Sequence, residues 1–267
     1  MIQDELKFFK NWFANYCTLF ATPIQEDARN FEIKQLHTHQ VCLNAVRIAA
    51  DLNLDEKEIL LVEAIALFHD VGRFPQYQKY KTFDDNVSVN HAALSAKVLL
   101  GQNVLKGLRP HEQAMIIRTV TLHNVFSLPG DLDEETRLFE NLVRDADKLD
   151  IMRVVIEYFE QDEGSRADAV ALGLPDLPTY SSAVLSCIKR GEMAKKSDLT
   201  TLNDFKLLQL AWLYNLNFIS SLQIVSERRY IQKLAALLPP TDDIKEAVEL
   251  TRDSVERKLR SCKEVGK

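Results

Sequence analysis

Residues 66–96 read ALFHDVGRFPQYQKYKTFDDNVSVNHAALSA. An apolar helical run ends on His69 and Asp70, side by side, and Gly72 and Arg73 follow at once. His91 then opens the next helical pattern. The residues leading in, Ile59 to Phe68, are apolar on most sides of a helix, which marks a central helix. A buried carboxylate at its end is costly unless it is paired, hydrogen-bonded or bound to a cation. Imidazole nitrogen with carboxylate oxygen is a donor set used by zinc, iron, manganese and related divalent ions. Gly72 permits a sharp departure of the chain, so that both side chains can turn toward one cation.

Helix signals extend over the rest of the chain, which has few glycines and prolines and little alternating pattern. A first helix is expected over about 3–20, ended by Thr22-Pro23. A second, over about 32–53, carries Val41, Cys42, Ala45, Ile48, Ala49 and Leu52 on one face. Asp55 with Glu58 has the form of a capping box for the central helix. About 71–87 reads as a loop, with Ser88 capping a helix over about 89–101. Pro110 suits the first turn of a helix over about 110–123, and another begins near 133 and runs through NLVRDADKLDIMRVVIEYFE. Residues 161–178 look like an irregular connector, followed by patterns near 179–190, 201–226 and 228–238 and a polar last helix from Thr241 to about 262. The fold class is therefore all-α.

Composition narrows the function. With 33 basic against 39 acidic residues the net charge is -6, which argues against a nucleic-acid surface. Cys17, Cys42, Cys187 and Cys262 form no C-x-x-C pair and read as reduced structural thiols. The N-terminal stretch lacks the apolar core of a signal peptide, and no segment approaches the length of a membrane span. A soluble cytoplasmic protein is expected.

The remaining histidines and one aspartate extend the constellation. His37 begins a helix at the edge of its apolar face, while His39 lies about 200° around it and is expected in solvent. His91 falls in the first turn of a helix and His123 in the last turn of another. Asp147 has Leu142, Val143, Ala146 and Ile151 around it and is expected to point inward. His111, beside Pro110, reads as a surface residue. Trp212, Tyr214 and Phe218 read as core, as does Cys42. Each of these separated segments offers a ligand type at or near a helix end, and two metals need that many donors.

The ordered pieces HTHQVCLNAVRIAADL, ALFHDVGRF, VNHAALSA, TLHN and VRDADKLDI resemble the HD-domain superfamily of metal-dependent phosphohydrolases. The resemblance implies an HD helical bundle over 31–160, with an N-terminal helix (1–30) packed on it and a C-terminal helical lobe (161–267) extending the same domain. It implies that His37, His69, Asp70 and Asp147 form the four-ligand core. His91 and His123 match the further histidines of the dinuclear branches, with Asp70 shared between two divalent ions (Mn, Fe, Ni, Zn or Mg). Arg73 stands where many members carry Lys; it keeps the charge and adds a bidentate fork for a phosphate. Lys148 is a second candidate for charge stabilisation, and Lys79 and Lys81 are candidate substrate contacts in the loop between ligand segments. Asp70, Arg73 and Lys148 are thus the candidate catalytic residues.

The implied activity is hydrolysis of a small anionic phosphorylated metabolite or nucleotide by a metal-activated hydroxide, with a homodimer compatible. The cyclic-di-GMP phosphodiesterase branch pairs histidines where this chain has His123-Asn124, and its GYP signature is absent. The mononuclear nucleotidase branch lacks the extra histidines. A diiron oxygenase branch, which cleaves C–C or C–P bonds with O2, shares the ligand order and stands as the alternative. A third reading is a non-enzymatic module stapled by metal; Arg73 and Lys148 speak against it, since a structural metal needs no such cations.

Overall fold

The computed structural model describes residues 1–265, with side chains through 261. It is all-α, with no strand among the described residues. The chain divides into two compact units. The first comprises Met1–Asp150 with Ala167–Leu172, and the second comprises Ile151–Arg166 with Gly173–Lys267.

The first unit is organised around α3 (Glu56–Phe68), which packs against α1 (Gln3–Thr18), α2 (Gln25–Asp51) and α6 (Pro110–Leu122). The Asp55–Glu58 capping box starts α3 as expected: Asp55 accepts from the Glu58 amide, and Glu58 accepts from the Asp55 amide. Every residue from Leu60 to Phe68 except Glu63 is buried. Each Leu, Val, Ile or Phe among them contributes roughly 1.5–3 kcal/mol on burial, so the helix is held by packing. The first helix supplies an aromatic brace. Phe9 and Trp12 meet Phe68 edge-on, Tyr16 and Phe20 pack on Phe74, and the Tyr16 hydroxyl donates to the Val71 carbonyl at 3.0 Å. The turn after Asp70 is therefore clamped from behind.

The segment 71–87, expected as a loop, contains α4 (Arg73–Tyr80) and a short 3-10 turn over Asp85–Val87. Phe74, Gln76 and Tyr77 are buried, so tertiary packing makes a helix where the local pattern, dense in aromatic and charged residues, gave none. The next helix, α5 (His91–Gly101), is capped by Asn90, whose side chain accepts from the Ala93 amide. Ser88 does not cap it; its hydroxyl donates to the Asp84 carbonyl and accepts from Gln76. The second helix starts earlier than expected, at Gln25, directly after Thr22-Pro23.

Gly72 has ordinary right-handed angles, φ -67 and ψ -20, so the turn does not use glycine's conformational freedom. Its role is close approach: a Cβ there would lie 2.4 Å from the His91 carbonyl oxygen and 2.6 Å from the Ser95 nitrogen. The Ser95 hydroxyl accepts from the Gly72 amide at 2.8 Å and donates to the His69 carbonyl at 2.9 Å. The end of α3 and the start of α5 are thus joined through the Ser95 hydroxyl, with their backbones in close approach at Gly72. The seventh helix, α7 (Glu134–Glu160), brings Asp147 and Asp150 on one face, three residues apart.

The second unit packs α8 (Ser182–Lys189), α9 (Leu202–Trp212), α10 (Ile219–Glu227), α11 (Tyr230–Ala236) and α12 (Asp242–Val265). The pattern expected over 201–226 is two helices, parted by the turn Leu213–Asn215. All residues of α9 from Leu202 to Ala211 are buried, Asp204 and Lys206 included. Asp204 accepts from the Thr200 and Thr201 amides, and Lys206 donates to Asn203 and the Leu237 carbonyl over the Phe159 ring, so both charges are satisfied inside the unit. Leu213 is buried there, and Trp212, Tyr214 and Phe218 are half-buried, nearer the core reading than a substrate platform.

Candidate metal centre

His69 is the C-cap of α3 and His123 the C-cap of α6. Each turns its Nδ1 back onto the carbonyl three residues earlier, His69 to Ala66 at 2.7 Å and His123 to Val120 at 2.8 Å. These are carbonyls that a helix end leaves without an intrahelical partner. His91, the first residue of α5, turns Nδ1 to Asp85 Oδ2 at 2.6 Å. His37, within α2, turns Nδ1 to Asp150 Oδ2 at 2.7 Å. Carbonyls and ionised carboxylates only accept, so all of these Nδ1 atoms carry the proton. The tautomers are fixed, and every Nε2 of the neutral ring presents a lone pair.

The Nε2 atoms converge on Asp70. Its Oδ2 lies 3.6 Å from His37 Nε2 and 3.7 Å from His69 Nε2. Its Oδ1 lies 3.3 Å from His91 Nε2 and 3.9 Å from His123 Nε2. Asp147 Oδ1 joins the first side, 3.1 Å from His37 and 3.7 Å from His69. His37, His69, Asp70, His91 and His123 are buried, while the Asp147 side chain keeps 19 % of its exposure, so the cluster opens to solvent on the Asp147 side.

This donor set fits metal. His37 Nε2, His69 Nε2 and Asp70 Oδ1 are buried without a hydrogen-bond partner, a costly state unless a cation takes the lone pairs. Two groups, His37–His69–Asp70 and Asp70–His91–His123, each keep their ligand atoms within 4.8 Å of one another, and each could hold a metal ion. Asp70 belongs to both. The outward hydrogen bonds to Asp85, Asp150 and the two carbonyls are the arrangement that orients metal-ligating histidines.

The electrostatics agree. Burial alone would raise the Asp70 pKa, but Lys34, His69, Arg73 and His91 overcome it and hold the carboxyl well below its usual range. Burial depresses His91 to about 4 and His123 to about 3, which keeps both imidazoles neutral, the ligating form. His37 differs: burial and the Lys34 charge are outweighed by the Asp147 and Asp150 carboxylates beside the ring, and its pKa is raised, toward the protonated form.

The candidate residues outside the ligand set fare differently. Arg73 lies beside the cluster, with Nε 3.4 Å from Asp70 Oδ1 and Nη1 donating to Asp85, Gln76 and the Phe83 carbonyl. Lys148 is half-buried on α7 among Arg144, Asp145 and Asp147, and burial lowers its pKa. Lys79 and Lys81 are not brought to the cluster. Both are exposed at the C-terminal end of α4, Lys79 over the Tyr80 ring and Lys81 paired with Asp27, because the helical turn of 73–80 carries them past the inward face. His39 is exposed, edge-on to Phe13, and His111 is exposed and pairs with Glu135, as expected. Cys17, Cys42 and Cys187 are free thiols; the Cys262 side chain lies outside the described residues.

Residues that the sequence reading missed are Lys34, Asp85, Asp150 and Asn124. Lys34 Nζ lies 2.8 Å from Asp70 Oδ2. Asn124 donates to Asp85 Oδ2 at 3.1 Å. Lys34 is three residues before His37 and Asp150 three after Asp147, a spacing that puts each on the face of its ligand and could have flagged both. Nothing comparable marks Asp85, which opens the short 3-10 turn Asp85–Val87. Arg144 pins the segment after His123 by donating to the carbonyls of His123 at 3.1 Å and Val125 at 2.7 Å. On the same helix Glu140 is fully buried, with no hydrogen-bond partner for either oxygen; burial outweighs Arg144 and Arg118 and raises its pKa to about 8.

Two histidine pairs thus meet one shared aspartate in a helical frame, an arrangement that could hold metal ions. Residues 36–152 match the family model of the HD domain, and the chain carries an HD domain there. Members of that superfamily are in general metal-dependent hydrolases. No curated protein and no solved structure matches the chain. No helix among the described residues is long and apolar enough to cross a membrane.

Proposed function

We propose that this protein is a metal-dependent phosphohydrolase acting on a small phosphorylated metabolite or nucleotide. The observation that carries the reading is the convergence of the His37, His69, His91 and His123 Nε2 lone pairs on the two oxygens of Asp70. His37, His69, Asp147 and Asp70 would hold one divalent ion, and His91, His123 and Asp70 the second. Such ions supply Lewis acidity at a phosphoryl oxygen and lower the pKa of bound water.

The protein's own residues set the charge the substrate must bring. Asp70, Asp147, Asp85 and Asp150 carry one negative charge each, which two divalent ions would balance, and Lys34 and Arg73 then leave the site positive. An anionic substrate answers that field. Arg73, held by Asp85 and Gln76, keeps a fixed orientation beside Asp70 and would steady charge that develops on the phosphoryl group. The buried imidazoles and Asp70 exclude water from the inner wall, so substrate approaches from the Asp147 side.

The test is metal analysis of protein purified without chelator, followed by a phosphoester panel in the presence and absence of O2. Two metals per chain and O2-independent release of phosphate are expected. A metal-free Asp70→Ala protein with full turnover, or an iron-loaded protein that turns substrate over only with O2, would overturn the reading.

A further inference from the structure

We infer that Lys34 is a substrate-contact residue: with Arg73 across the Phe83 ring it forms an anion subsite, and its ammonium meets a phosphoryl oxygen of the substrate. This rests on the phosphohydrolase reading and adds a residue to it.

Asp70 has a cation on each side. Lys34 Nζ attends Oδ2, the oxygen turned to His37 and His69, at 2.8 Å, and Arg73 Nε attends Oδ1, the oxygen turned to His91 and His123, at 3.4 Å. Neutralising one buried carboxylate needs one cation, and the imidazole cluster already offers it ligand partners. Arg73 is also paired with Asp85 at 2.9 Å, so once cations take the oxygens of Asp70 it is the Lys34 ammonium that is left for a ligand arriving with negative charge. Both cations also lie over one aromatic ring: Lys34 Nζ is 5.1 Å and Arg73 Cζ 5.9 Å from the Phe83 centroid. Phe83 is itself fixed, 5.1 Å from the Tyr77 ring and packed with Ala169, Phe31 and Leu172. The ring therefore sets the spacing of the two charges.

Exposure places the pair at the opening. The side chains of Lys34 and Arg73 each keep 15 % exposure and Asp147 keeps 19 %, whereas Asp70 keeps 3 % and His69 none. A ligand coming in from solvent meets Lys34 and Arg73 before it meets Asp70. The Lys34 ammonium is a point charge on a flexible stem, suited to follow a phosphoryl oxygen, and Arg73 is a planar fork held by Asp85 and Gln76.

The experiment compares wild type, Lys34→Met and Lys34→Arg, each loaded with Mn2+, for metal content and for binding of inorganic phosphate by calorimetry. Metal content is expected to stay the same in all three. Phosphate affinity is expected to fall about tenfold to a hundredfold in Lys34→Met, the range for a lost charge-assisted hydrogen bond, and to return within about threefold of wild type in Lys34→Arg. Unchanged phosphate affinity in Lys34→Met overturns the inference and leaves the phosphohydrolase reading in place. Loss of metal from Lys34→Met, or its failure to fold while Lys34→Arg binds phosphate no better than a chloride control, makes Lys34 a structural partner of Asp70 and also overturns it. A metal-loaded wild type that neither binds phosphate nor hydrolyses any phosphoester overturns the parent reading itself.

Discussion

The Nε2 atoms of His91 and His123 face each other at 3.0 Å, while the Nδ1 of each is already committed to an acceptor. Two neutral rings in those tautomers point lone pairs at one another, and an electron-poor partner has to relieve the contact. A divalent ion does so for both rings at once. Removing either ring should therefore empty one half of the site and spare the other. His123→Ala is expected to hold one metal per chain instead of two, with a circular dichroism spectrum like wild type, whereas Asp70→Ala should hold none. Elemental analysis of gel-filtered protein decides it; two metals in His123→Ala would rule out the second half-site.

The carboxylates behind the rings give a second, separable test. Asp150 orients His37 and Asp85 orients His91, so their effects should fall on different ions. Asp150→Asn is expected to weaken the ion at His37–His69–Asp70, and Asp85→Asn the ion at Asp70–His91–His123, each by about tenfold to a hundredfold. Titration of apo-protein with Mn2+ would resolve a tight and a weakened site. Equal weakening of both sites by either variant would contradict the assignment.

Gly72→Ala tests the backbone contact that carries α5. The added methyl would stand 2.4 Å from the His91 carbonyl and 2.6 Å from the Ser95 nitrogen, and neither is a flexible side-chain end. Overpacking of this kind costs roughly 1–3 kcal/mol, occasionally more. The loss should appear as a lower midpoint in urea with an unchanged slope. A midpoint equal to wild type would show that α5 can retreat freely.

Glu140 makes stability depend on pH. Its folded-state pKa, about 8, lies above the ordinary 4.5, so between those values the folded chain binds a proton that the unfolded chain has released. Its destabilising effect is absent below about pH 4.5, grows as pH rises toward 8 and is constant above it. Glu140→Gln removes the ionisation and should flatten this part of the profile, gaining a few kcal/mol at pH 8.5 relative to wild type. Urea unfolding at pH 6.0 and 8.5 checks it. The same slope in both proteins would assign the pH dependence elsewhere.

The sequence revealed the parts of the site that lie on strong periodic patterns. The apolar run Ile59–Phe68 and its capping box place His69 and Asp70 to the residue, and Pro110 places the helix that ends in His123. It missed what depends on contacts made only after the chain has folded. α4 is a helix because Phe74, Gln76 and Tyr77 are buried against the rest of the unit, and its own composition does not say so. Asp85 reaches His91 from an irregular segment with no period to reveal its direction. Gly72 looked like a residue chosen for its torsional freedom, yet the neighbours that exclude a side chain there belong to a helix some twenty residues later. A loop over 71–87 would set Lys79 and Lys81 over the site, whereas the helix Arg73–Tyr80 leaves both exposed at its C-terminal end.

The Gly72–Ser95 contact also bears on which metals the site could accept. The two halves are tied by the Ser95 hydroxyl, which bridges the Gly72 amide and the His69 carbonyl, with the α5 backbone packed close against Gly72, so their separation is set largely by main-chain packing. Ions of different radius have to be accommodated by imidazole tilt and by rotation of the Asp70 carboxylate alone. The site would therefore act as a gauge: a choice among divalent ions would follow from how far those few torsions can turn before Asp85, Asp150, Ala66 and Val120 release their hold on the rings.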